Sequence, residues 1–443
     1  MKRIIETFKN IYKIEDLRVR ILNTLGFLLI YRLGSFIVLP GVDSVALQAS
    51  ASQAQGLAAL LNMFAGGAFS RASVFALGIM PYISASIVMQ LLGIAIPQFA
   101  KLQKEGESGR KKINQWTRLL TIAICLAQAP SYIATQIPSN AVVADGTFFW
   151  ISSIVLLITG TMFVMWLGEK ITDKGLGNGI SLLIMIGIIA NLPTSLAFEF
   201  QARMGAGGLV MFLVEMVFLL LVTIATILLV QGVRRVPINF AKNVVGSREY
   251  GGARQYLPLK VNAAGVMPII FAQALMFVPM SIVGFAETDA LTGFAAAFAD
   301  ITGFWYNLVF AVLIIAFTYF YTAITINPNQ MADDLKKNGG FIPGVRPGKE
   351  TADFIDNVMS RITLPGSVFL AIISILPAFA MIAGVSSGFA YFFGGTSLLI
   401  MVGVILDTLQ QIESHLLMRQ YDGLMKSGRI SGRSSANTYG VAQ

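Results

Sequence analysis

Cysteine and histidine are all but missing from this chain. Cys125 is the single cysteine among 443 residues, which excludes a disulfide within the chain and a multi-cysteine metal site. His415 is the single histidine. A HExxH zinc site needs two, and a charge-relay triad would have to rest on this one residue beyond the last apolar stretch. Charge is scarce too: 12% of residues are charged and 55% are hydrophobic. A soluble domain carries about 25% charged residues, so the composition is that of a membrane protein with many spans. No GxxxxGK phosphate loop occurs. The glycine-rich string GLGNGIS (175–181) follows no strand, so it suits a tight turn in which Asn178 caps the next helix better than it suits a dinucleotide site. No cleavable signal peptide is expected. Residues 1–20 are charged throughout and form a basic amphipathic segment for the cytoplasmic surface.

What is present is a series of long apolar runs. Spans are expected near 21–38, 74–95, 119–136, 149–167, 180–197, 209–231, 265–285, 305–326, 363–382 and 392–412. The basic residues support this count. With both termini inside, cytoplasmic segments hold six in 1–20, six in 101–118, two in 170–174, six in 232–264, five in 327–361 and four beyond 412. Arg71 and Arg203 fall outside, and Arg32 lies within the first span. This bias follows the positive-inside rule for an even number of spans, and anionic inner-leaflet lipid accounts for the net charge of +9. Five and five spans of opposite insertion allow an inverted repeat, divided by an external hinge at 199–208. The N-terminal half is 21–198 and the C-terminal half 209–412, followed by a cytoplasmic tail, 413–443. The cytoplasmic loops 232–264 and 327–361 mix apolar, aromatic and basic residues, as folded docking loops do and disordered ones do not.

Few polar groups enter the spans. Arg32 faces a neighbouring helix or a lipid phosphate. Glu215 is near enough to a span end to snorkel, and Asp407 lies close to the cytoplasmic end. None is a clear midplane carboxylate, which counts against an ion-coupled solute transporter. No nucleophile with its base is evident, which counts against an intramembrane enzyme. Ile79 and Ile83 share a helix face, as do Ile180 and Ile184. That spacing fits ordinary core packing as well as faces meeting around an axis. Residues 61–72 are too short to span, and are small and half-polar.

The strings NMFAGGAFSRASVFALGIMPYISAS, KEGESGRKK, GTMFVMWLGEKITDKGLGNGIS, PLKVNAAGVMPIIFA, NPNQMADDLKKNGGFIPGVRPG and FFGGTSLLIMVGVILD closely resemble the SecY family of bacterial protein-conducting channels. The matches run in order from about residue 20 to 412. The resemblance implies an all-α polytopic membrane protein in which ten transmembrane helices form two pseudo-symmetric inverted halves around a central hourglass pore. It implies a plug at about 61–72, with Phe64, Gly66, Gly67, Ser70 and Arg71 in it; Arg71 is expected toward the wet side. The pore ring maps onto Ile79, Ile83, Ile180, Ile184, Ile270 and Ile400, and the lateral gate onto Ser84, Gln90, Gln128 and Asn262. Partner docking maps onto Arg346, with Arg248 and Arg254 suited to ribosomal RNA phosphates. The neighbouring Glu249 weakens the electrostatic case at the tip of the earlier loop.

The implied function is that of the channel subunit of the Sec translocon. It passes unfolded preproteins outward across the cytoplasmic (inner) membrane and releases transmembrane segments sideways into lipid. The resemblance implies no enzymatic activity and no cofactor. The implied partners are SecE-like and SecG-like small membrane subunits, the SecA motor ATPase, the ribosome, signal sequences and preproteins, and anionic lipid.

Overall fold

Apolar runs of this length fold as helices because lipid offers no partner for a bare N–H or C=O. The computed structural model describes residues 14–43, 46–47, 62–143, 146–205, 208–240, 242–245, 248–251, 254–273, 275–276 and 302–426. Helix α1 (Glu15–Gly34) is followed by α2 (Met80–Ala95), the short α3 (Pro97–Lys104), α4 (Glu107–Gln136), α5 (Thr147–Lys174) and α6 (Gly179–Gly205). The second half opens with α7 (Leu209–Gln231) and continues through α8 (Phe304–Thr325), α9 (Pro328–Lys337), α10 (Lys349–Ile382), the short α11 (Ser387–Ala390) and α12 (Gly395–Lys426). Residues 267–273 and 275–276 are helical at the expected seventh span, whose remainder lies outside the described residues. A helical segment thus stands at each of the ten expected spans. Six of the described helices are long and apolar enough to cross a membrane.

Several boundaries differ from expectation. Residues 74–79 form turns rather than helix, so the second span begins at Met80. Gly78 takes φ +55° and Pro81 stands in the first turn of α2; both positions suit a helix start and not a helix interior. The last part of the 327–361 loop is already helix, because α10 starts at Lys349. The tail likewise continues α12 as far as Lys426, and residues 1–13 and 427–443 lie outside the described residues.

The two long cytoplasmic loops are not separate structures. Strand β1 (Val233–Phe240) pairs antiparallel with β4 (Arg254–Lys260) and, through Asn239 and Phe240, with β5 (Gly340–Phe341) of the second loop. Between them β2 (Lys242–Val245) and β3 (Arg248–Gly251) make a two-stranded hairpin. Val236 and Ile238 alternate inward on β1 and are both buried, and Val236 joins Leu259, Ile342, Ile355 and Met359 in one cluster. One folded module therefore caps this face.

Within the membrane region α7 shows the expected solvent. Glu215, Val222 and Thr226 are its buried residues, while Leu213, Val217, Leu220, Leu221 and Leu228 are exposed. A face this apolar is stable against lipid, not water. Close packing is concentrated at glycines. A Cβ on Gly160 of α5 would stand 2.1 Å from the Val74 carbonyl oxygen, whereas one on Gly26 of α1 meets nothing within 4 Å. Overpacking costs about 1–3 kcal/mol. Gly160→Ala is expected to lower the melting temperature of the purified protein in detergent, and Gly26→Ala to leave it unchanged or raised.

Candidate functional site: a stopper segment on an isoleucine cluster

The segment after residue 61 is helical only over 62–64, then turns continuously to residue 79. The expected short half-helix is therefore mostly irregular chain. The glycines explain this: Gly66 and Gly67 take φ +63° and +83°, a conformation that lets the chain reverse at once. The reversal is fixed by Gly67 N–H donating to the Asn62 carbonyl (2.8 Å) and Ser70 N–H to Asn62 Oδ1 (3.0 Å). Beyond it, Leu39 N–H donates to the Ala72 carbonyl and Val74 N–H to the Ile37 carbonyl, both at 2.9 Å. The segment is thereby stitched to the chain that follows α1.

Irregular backbone buried among helices needs partners from side chains. Arg32 Nη1 donates to the Gly66 carbonyl at 2.6 Å and Arg71 Nη2 to the same oxygen at 2.9 Å. Both guanidinium groups lie over the Phe36 ring, at 4.9 Å and 4.3 Å. Tyr132 donates to the Phe69 carbonyl (2.6 Å) and Asn191 Nδ2 to the Met63 carbonyl (3.4 Å). Arg71 is thus half-buried, held by a carbonyl and by the face of the exposed Phe36 ring. Burial, with the Arg32 charge added, pulls its guanidinium below the usual pKa. Arg32 faces the segment at 62–72 through its bond to the Gly66 carbonyl.

The six isoleucines come from four separate stretches of chain and fall in one cluster. Ile79 precedes α2 and Ile83 lies in its first turn. Ile180 and Ile184 follow Asn178, whose Oδ1 accepts from Ile180 N–H at 3.1 Å and caps α6 as the sequence predicts. Ile270 belongs to the described start of the seventh span, and Ile400 to the first turns of α12. Ile79, Ile83, Ile184 and Ile400 are buried, with Ile180 and Ile270 packed against them, in the same cluster as Met63 and Phe64 of the stopper segment. The cluster holds residues of both halves.

Gly187 completes the seat, and the sequence reading passed it over. A Cβ there would stand 2.4 Å from the Phe64 carbonyl oxygen. The signal was available: Gly187 follows Ile180 and Ile184 by seven and three residues, on the same helix face. Ser397, whose hydroxyl lies 3.4 Å from Met63 Sδ, was missed as well.

The polar gate positions behave differently. Ser84 donates to the Met80 carbonyl of its own helix at 3.2 Å, as serine in an apolar helix commonly does. Asn262 is 7% exposed and its Oδ1 has no partner among the described residues. Gln90 and Gln128 are half-buried. None of the four is hydrogen-bonded to another among the described residues, and most of the seventh span lies outside them. Arg346 projects freely, 87% exposed, with only a 4.0 Å approach to Glu350; its own carbonyl accepts from Thr351 Oγ1 (2.8 Å). Arg248 opens β3 and Arg254 opens β4, and their side chains lie outside the described residues.

A family model described as SecY matches residues 73–409. The chain belongs to the SecY family. A curated relative, the protein translocase subunit SecY of Mycobacterium bovis, is 43% identical, over 96% of this chain and 100% of the relative. Among solved structures, one described as the structure of a protein conducting channel superposes with a TM-score of 0.63 at 17% identity, covering 93% of this chain and 94% of that one. Another has a title stating that the plug domain of the SecY protein stabilises the closed state of the translocation channel and maintains a membrane seal. It gives a TM-score of 0.60 at 17% identity with the same coverage. The ten-helix layout is that of the family, and the chain is a multi-pass membrane protein of a channel family.

The Gly187 contact generates a test of the seat. Gly187→Ala is expected to displace the stopper segment. In that background a cysteine introduced as Met63→Cys, buried in the parent, is expected to react several-fold faster with a water-soluble maleimide. Equal labelling rates would show that the segment does not rest on α6.

Proposed function

We propose that this chain is the channel-forming subunit of a protein translocase, passing unfolded preproteins across the cytoplasmic membrane and releasing apolar segments sideways into lipid. The observation that carries this reading is the single buried cluster in which six isoleucines from both halves meet Met63 and Phe64. Branched apolar side chains offer a permeating ion no ligand, and a constriction of this kind closes by dewetting. They are soft enough in aggregate to fit around an extended polypeptide. In this reading residues 61–72 are the plug, with Phe64, Gly66, Gly67, Ser70 and Arg71 setting its seat. A structural neighbour's plug is credited with maintaining a membrane seal, which supports the assignment.

The lateral gate is assigned to the seam between the second and seventh spans, with Ser84, Gln90, Gln128 and Asn262 near it. Cross-helix hydrogen bonds in membranes average about 0.6 kcal/mol, so a few of them would hold such a seam only lightly. The basic module formed by both long loops is the docking face for the SecA motor ATPase and the ribosome. Arg346 is its most accessible contact, and Arg248 and Arg254 supply further positive charge. Small SecE-like and SecG-like subunits and anionic lipid complete the assembly, with both termini cytoplasmic. The chain itself performs no chemistry: energy comes from the motor's ATP, from synthesis on the ribosome and from the membrane potential.

Reconstitution tests the reading. Proteoliposomes holding this chain and its small subunits are expected to protect a preprotein from protease only when motor and ATP are both added. Protection without them, or none with them, would refute it. The seal has its own test. Ile83→Ser and Ile184→Ser place hydroxyls in the ring, and each is expected to raise resting ion conductance across a planar bilayer. Conductance equal to that of the parent would remove the ring assignment.

A further inference from the structure

Arg32, Arg71 and Arg203 are the arginines that the span count leaves off the cytoplasmic side, and their surroundings differ. Arg203 is neutralised. Its Nε donates to Glu199 Oε1 at 3.0 Å, and its Nη2 donates to Glu215 Oε1 and to the Gly384 carbonyl. The two carboxylates are 2% and 4% exposed, so Glu215 is paired and does not snorkel. Arg32 and Arg71 have no such partner. Each donates to the Gly66 carbonyl, and neither pairs with a carboxylate among the described residues. The chain from Ser44 to Lys104, which includes the whole stopper segment, holds no aspartate or glutamate.

Two like charges therefore meet at one oxygen atom, both half-buried and both over the Phe36 ring. Cations this close repel, and a single carbonyl dipole does not neutralise them. Their donors are also far from used up. A guanidinium carries several N–H groups in a fixed fork, and Arg71 Nε is buried with no partner among the described residues. The place is open on one side. Phe36 is 53% exposed and continues the outward stripe of α1 formed by Leu22, Leu25, Leu29 and Leu33. Apolar surface of this kind on a spanning helix is stable against acyl chains. The two guanidinium groups stand at the end of that stripe. A phospholipid with its chains along the stripe would bring its headgroup to them.

We propose that Arg32 and Arg71 form a phosphate-binding fork at the C-terminal end of α1, filled by the headgroup phosphate of a phospholipid in the leaflet opposite the basic loops. Paired guanidinium forks match the oxygens of a phosphate group, and its negative charge offsets the repulsion between them. Free phosphate offers the same oxygens, but the apolar stripe leading to the fork suits an occupant with acyl chains. One arginine belongs to α1 and the other to the stopper segment, so the anion touches both. A ligand that binds only the seated arrangement stabilises it, and the occupied fork holds the segment in place. The site stands whether or not the chain conducts preproteins.

The test uses the chain with its small subunits in nanodiscs of a phosphate-free glycolipid, with or without phosphatidylglycerol. It reads the rate of maleimide labelling of Met63→Cys in a Cys125→Ser background. Phosphatidylglycerol is expected to slow labelling about fivefold or more, the lower end of ordinary coupling between sites. Arg32→Gln/Arg71→Gln in that background is expected to label at one rate with and without the lipid, whatever that rate is. Inorganic phosphate added to the glycolipid discs separates the two sources. It is expected to leave the rate unchanged; slowing by phosphate and not by the lipid would overturn the lipid as occupant and leave the fork. A second readout needs no substitution at the fork. A phosphatidylglycerol analogue with a diazirine in its headgroup is expected to form an adduct within residues 32–38, competed away by the unlabelled lipid. Labelling that ignores both anions, or an Arg32→Gln/Arg71→Gln variant that still responds to the lipid, would overturn the site. So would slow labelling in anion-free discs that quickens only when the small subunits are left out, because the counter-charge would then be a partner's carboxylate.

Discussion

A stretch of irregular backbone buried among membrane helices must find a partner for every exposed carbonyl, and most of this molecule's unusual polar residues answer to that requirement. The turns from 65 to 79 satisfy only part of their backbone among themselves. Arg32 and Arg71 share the Gly66 oxygen, Tyr132 takes that of Phe69, and Asn191 that of Met63. A hydrogen bond from a charged donor contributes about 1.5–3 kcal/mol, enough to offset an arginine within a span, whose insertion costs about 2.5–3.5 kcal/mol. The charge in the first span is thus explained by the chain that folds back against it. The same bonds are few and local, and none of them belongs to a helix ladder.

Below that segment the logic reverses, and the surfaces that meet are purely apolar. The isoleucine cluster joins the halves through shape alone, while ionic and amide contacts join them at the two ends of α6. Dispersion contacts re-form around a new partner at little cost, whereas a buried ion pair does not tolerate separation.

The sequence carried the architecture well. Ten apolar runs and the distribution of lysine and arginine set the spans, and Asn178 was legible as a cap because capping depends on near neighbours. The six isoleucines were suggestive only in pairs, since helical spacing reports a shared face on one helix and nothing about which helix it meets. Six residues of the second span, 74–79, were misassigned because an apolar run does not show where Gly78 and Pro81 let a helix begin. Arg71 and Glu215 were placed toward water on charge alone. Their partners, Gly66 and Arg203, are legible only once the chain has folded. Gly187 was passed over because glycine in an apolar helix looks like nothing until another backbone lies against it. The joining of two distant loops through β1 and β5 had no local signature at all.

Helix α10 begins three residues after Arg346 on the basic face and ends two residues before Gly384 at the opposite one. At 1.5 Å per residue its 34 residues make a single lever about 50 Å long. Any displacement at one surface is delivered at the other along one unbroken backbone. Pro365 and Pro377, each lacking an N–H for the ladder, mark the places where such a beam would flex.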